Sequence, residues 1–149
     1  MRWLAAIFAV FAAPLAAQEV YPCDDRAWAD AIVEPWETHT RTFANGDVRV
    51  AVLDAIEPAL GSYYFLVLSP PYDDTGRQCQ MVGFHGGVGF TNIRFDTLTV
   101  EYVPSRGLEM QLLVRIAEPA YDFTNAANLW VTLNQSSGEI TTFMELGNE

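Results

Sequence analysis

The chain of 149 residues contains no lysine, only two histidines and only two cysteines. Its positive charge rests on eight arginines set against 19 acidic side chains, a net charge of −11. Nucleic acids and anionic membrane surfaces are bound through basic patches, so this balance argues against both as partners. The acids are scattered, not grouped in runs, and read mostly as solvated surface. His39 and His85 lie far apart, which leaves little from which to build a metal site. Serines occur at 62, 69, 105, 136 and 137, nearly all in turn-like contexts, and no G-x-S-x-G elbow exists. No cofactor or metal is expected. After residue 17 no stretch is long and apolar enough to span a membrane.

What is present begins with a leader. "MRWLAAIFAVFAAPLAAQEV" places Arg2 before an apolar run, and Ala16-Ala17 just before the polar Gln18-Glu19. That order is a secretory signal peptide, with cleavage after Ala17. From Trp3 to Ala17 the run would make only about 22 Å of helix, short of a hydrocarbon core of roughly 30 Å. The mature chain, 18–149, is then long enough for one ordinary domain. It carries a net charge of −12, since Arg2 is lost from the eight basic residues and all 19 acids remain. Arginine without lysine suggests a G+C-rich bacterial genome, so the expected address is periplasmic or secreted. In an exported chain, Cys23 and Cys79 most simply form one disulfide.

Residues 24–34, "DDRAWADAIVE", predict the single short N-terminal helix, with Asp24 or Asp25 as cap, Trp28 and Ile32 on one face, and Pro35 as its stop. Everything later reads as strand. "THTRTF" and "DVRVAVLD" flank an Asn45-Gly46 turn, and Val48, Val50 and Val52 share a face. "SYYFLVL" is apolar on both faces, as a covered central strand should be. In "IRFDTLTVEYV" the apolar phase changes from Ile93 and Phe95 to Leu98, Val100 and Tyr102. A period-2 strand cannot do this without an insertion, so a bulge is expected near Asp96-Thr97. "LEMQLLVRI" alternates cleanly, with Leu108, Met110, Leu112, Val114 and Ile116 facing in. Turns at 104–107 and 135–138 close two further hairpins. The fold class is therefore mainly β, an antiparallel meander of about seven or eight strands forming a sandwich or an up-and-down barrel.

"GRQCQMVGFHGGVGF" (76–90) gathers a cysteine, a histidine and five glycines. Its glycines do not fit a phosphate loop, and neither lysine nor helix follows. Gly86-Gly87 reads as a hairpin turn with His85 beside it. Asp73 and Asp74 superficially offer calcium ligands, yet the spaced acids of an EF-hand loop are missing. His85, Asp73 and Asp74 are the candidate site residues, each with a plain turn role as the simpler alternative. Asp54 follows three valines on one face and is expected at the rim of the core. Tyr63, Tyr64, Phe65, Trp36, Tyr72, Tyr121 and Trp130 read as core and strand formers, with a ligand groove as the alternative. The functional expectation is a non-catalytic binding or envelope-accessory protein whose partner is a basic envelope or secreted protein. Two rivals remain: a small periplasmic hydrolase in which acids or His85 converge, and a carrier of an apolar ligand.

Overall fold

The structure is a computed structural model that describes residues 18–118, 120 and 123–147. The expected leader, residues 1–17, and Tyr121 lie outside the described residues. Among the described residues nine strands form: β1 (Glu19–Pro22), β2 (Thr40–Phe43), β3 (Val48–Asp54), β4 (Tyr63–Asp73), β5 (Gly76–Gly83), β6 (Asn92–Val103), β7 (Gly107–Glu118), β8 (Phe123–Leu133) and β9 (Ile140–Leu146). They make two antiparallel sheets, one in the order β1-β5-β4-β3-β2 and one in the order β6-β7-β8-β9. The arrangement is a sandwich, and β1 is the strand that sequence patterning did not anticipate.

Alternation explains the packing. Val48, Val50 and Val52 of β3 and Phe65 and Val67 of β4 face Met110, Leu112 and Val114 of β7 and Leu129 and Val131 of β8 across the main core. All five residues expected to face in from β7 are buried. β4 is apolar on both sides because its other face, with Tyr64 and Leu66, lies in a second, smaller core beside Ala51, Leu53 and Met81. That outer core is roofed by the chain leaving β1. Ala27, Ala31 and Ile32 lie flat against it, their small or compact side chains letting backbone approach sheet.

The helix expected over 24–34 is not formed. Within that span only a 3-10 turn, Ala29–Ala31, is helical, and a separate four-residue helix α1 (Trp36–His39) begins after Pro35. The reason is where the backbone spends its hydrogen bonds. Cys23 N–H donates to Cys79 O (3.1 Å), and Val33 N–H donates to Val52 O (3.0 Å). Ile32 bridges Leu53, extending the cover that β2 gives to the edge of β3. A helix would keep the Val33 amide internal and leave that edge open. α1 also takes Thr38 and His39 out of the expected strand, and the hairpin turn is a four-residue loop over 44–47, wider than the two residues expected.

The bulge appears where the apolar phase changes. Pairing runs Arg94↔Leu113, then Thr99↔Gln111, so β6 carries extra residues between them. Thr97 repairs the gap: its hydroxyl donates to Arg94 O (2.6 Å) and accepts from Leu113 N–H (2.9 Å). Ile93, Phe95 and Leu98 are all buried as a result.

Candidate functional site

The disulfide joins Cys23 to Cys79 with Cα atoms 5.4 Å apart, pinning the crossover to β5. The stretch that follows Cys79 is a turn, as its glycines suggested. His85 pairs with Val88 around Gly86 and Gly87, whose φ values of 59° and 82° suit glycine. Gly89 serves a different need, close approach: a Cβ there would overlap the Tyr63 carbonyl oxygen, against which Phe90 N–H bonds at 2.7 Å. His85 is exposed, and its ring rests on Phe84 with centroids 4.3 Å apart.

Asp73 ends β4 and Asp74 begins the turn into the far end of β5, roughly 25 Å away along that eight-residue strand. Asp73 Oδ1 accepts from Thr75 N–H (2.7 Å) and Thr75 Oγ1 (2.6 Å), and these bonds hold its carboxyl below the usual range. The structure therefore does not bring the three candidate residues together. Nor do the aromatics converge. Tyr64 and Phe65 are buried on opposite faces of β4, Trp36 and Tyr72 are exposed, and Trp130 stands on the other sheet. Among the described residues no group of three or more His, Cys, Asp or Glu is placed to hold a metal ion.

Two features were missed in the sequence. The first is a hub around Arg26. Its guanidinium lies over the rings of Tyr21 (5.3 Å) and Tyr64 (4.8 Å), donates to Tyr64 Oη (3.1 Å) and Gly87 O (3.0 Å), and pairs with Asp24 (2.5 Å). Tyr64 Oη also donates to Gly87 O (2.6 Å), and Gly87 N–H donates to Tyr21 Oη (3.0 Å). Tyr21 Oη donates in turn to Glu19 (2.7 Å). Burial, helped by that carboxylate, pushes the Tyr21 phenol up to about 12. The hub ties β1, the crossover and the 86–87 turn into one unit.

The second feature is a cleft of about 510 Å³ beside the hub, between the crossover and the end of β3. Asp25, Asp30, Asp54 and Glu57 line it, and Arg26, its one basic residue, is already occupied by Asp24. Asp54 lies at the rim, as expected, where its Oδ1 accepts from Ser62 Oγ (2.7 Å) and Ile56 N–H (2.9 Å). Those bonds shape a turn in which Ile56 has φ 68°, a left-handed conformation that a β-branched residue adopts only at a cost. Ile56 is 77% exposed and Trp28, also lining the cleft, is 66% exposed. Four carboxylates with two large apolar side chains held in solvent make a surface suited to a cationic, partly apolar segment. No family model, curated protein or solved structure matches the chain.

Proposed function

We propose that this protein is an exported binding domain that captures a basic envelope or secreted protein of a bacterial cell at the acidic cleft, without catalysis. The observation that carries the reading is Ile56, a bulky side chain held at φ 68° in solvent on the lip of a cleft with four carboxylates and an exposed tryptophan. Backbone strain of this kind persists where the surroundings enforce it, and it concentrates at ligand clamps. The net charge agrees, since a surface this negative steers cations toward it and repels polyanions. The filled interior favours this reading over the carrier: Phe65, Met110, Leu112 and Leu129 occupy the space between the sheets.

Capture from envelope extract on the immobilised mature protein tests it. One basic partner should be retained at low salt and elute as salt rises, because exposed charges are screened beyond a Debye length of about 8–10 Å. Trp28→Ala and Asp30→Asn should each weaken retention, while His85→Ala should leave it unchanged. Turnover of esters, glycosides or peptides that responds to His85→Ala would overturn the proposal in favour of a hydrolase.

A further inference from the structure

We propose that the outer face of the four-stranded sheet carries a second, independent site, one for a neutral oligosaccharide. Register places one row of side chains straight across that face: Thr99 opposite Gln111, Gln111 opposite Trp130, and Trp130 opposite Phe143. The neighbouring row sets Glu101 opposite Glu109. A cleft of about 360 Å³ opens over these two rows, lined by Thr99, Glu101, Glu109, Gln111 and Trp130, with Val100 and Met110 of the same strands at its floor. Beside it Phe143 is 60% exposed, its ring 5.3 Å from that of Trp130.

The chemistry of the lining selects the ligand. A pyranose ring has an apolar face of C–H bonds and a rim of hydroxyls. Trp130 supplies a flat apolar wall for the first, and amides, hydroxyls and carboxylates supply partners for the second. Glu101 and Glu109 face each other, and Arg106 is paired to Glu109. Like charges opposed across a ladder are unfavourable by themselves. Unlike the cleft with four carboxylates, this one has Glu109 neutralised by Arg106 and is completed by the Thr99 hydroxyl and the Gln111 amide, so a ligand rich in neutral hydroxyl donors complements it. Sulfated or uronate glycans are repelled by the same two carboxylates. A lipid would leave those carboxylates desolvated and unpaired. A cross-strand aromatic pair alone would account for the contact of Trp130 with Phe143, but not for a polar cleft against the tryptophan.

The test is calorimetric titration of the mature protein with cellohexaose, N-acetylated chitohexaose and maltohexaose, at low and high salt. At least one should bind, with an affinity insensitive to salt because the ligand is uncharged. Trp130→Ala should weaken it by about tenfold or more, and Gln111→Ala by about threefold. Should Trp130→Ala fail to fold, Gln111→Ala and Phe143→Ala decide, since both side chains lie at the surface of the sheet. Trp28→Ala, in the segment that crosses the outer face of the other sheet, should leave sugar binding intact, which keeps this proposal separate from the one above. Binding to none of the three sugars, binding that persists in the variants, or binding of basic peptides alone at this cleft would each overturn it.

Discussion

Replacing Arg26 with methionine removes the charge while keeping an apolar stem between the two tyrosine rings. The magnitude follows from what is lost and what is left satisfied. Two partly buried hydrogen bonds from a charged donor disappear, those to Gly87 O and Tyr64 Oη, together with the ion pair to Asp24. Bonds to charged groups contribute about 1.5–3 kcal/mol. Stacking over Tyr21 and Tyr64 contributes about 1–2 kcal/mol at a partly desolvated site. Against these stands the cost of desolvating the guanidinium, which the variant no longer bears. Gly87 O keeps its bond from Tyr64 Oη, so no buried acceptor is orphaned. A net loss of about 2–3 kcal/mol is expected. Asp24→Asn removes only the half-exposed ion pair and should cost at most about 1 kcal/mol. Urea unfolding with the disulfide intact measures both, as shifts in midpoint at constant slope. Tyr64→Phe completes a double-mutant cycle, and Arg26 with Tyr64 should show a coupling of about 1 kcal/mol. Equal small losses from Arg26→Met and Asp24→Asn, with no coupling, would refute the hub and leave Arg26 a surface residue.

Alternation in β7 makes a sharper contrast: Leu112→Ala should cost about 2–5 kcal/mol and its neighbour Gln111→Ala about 0.5 kcal/mol or less in the same unfolding assay. The Tyr21 phenol, raised to about 12 by burial and by Glu19, predicts a direction with pH. The unfolded phenol ionises near pH 10 and the folded one about two units higher, so unfolding releases a proton between them. Stability is then full below about pH 10 and falls as pH rises toward about 12. Tyr63, also raised by burial and by the charge of Asp54, acts in the same sense. Melts of Tyr21→Phe across that range should show a shallower decline.

Much of the sandwich was legible because a period-2 pattern reports directly on burial. Leu108 through Ile116 and the change of phase after Phe95 each translated into a face and a bulge. The crossover was not legible. "DDRAWADAIV" satisfies helical spacing, but the spacing does not show that the edge of β3 needs pairing or that Val33 N–H bonds to Val52 O. Local preference lost to tertiary hydrogen bonding there. Chemistry singles out His85 and the Asp73-Asp74 pair in the sequence, and the turns keep them apart. Arg26, Trp28 and Ile56 carried no motif. They meet only because a disulfide-anchored segment crosses the outer face of the five-stranded sheet.

Ile56 supplies the means of separating structural from functional cause. Left-handed backbone costs an ordinary residue about 1–2 kcal/mol, whereas glycine adopts it freely. Because the side chain is 77% exposed, Ile56→Gly forfeits little burial. Glycine loses about 0.5–1 kcal/mol through the greater freedom of the unfolded chain, so the variant should be as stable as the wild type or up to about 1 kcal/mol more stable. Retention of the basic partner should fall all the same, since the apolar contact on the cleft's lip is gone. A residue that weakens the fold while strengthening a contact is what a binding role requires. If Ile56→Gly instead destabilises by more than about 1 kcal/mol and leaves capture untouched, the isoleucine is holding the turn itself, and the cleft loses the observation that marks it as a site.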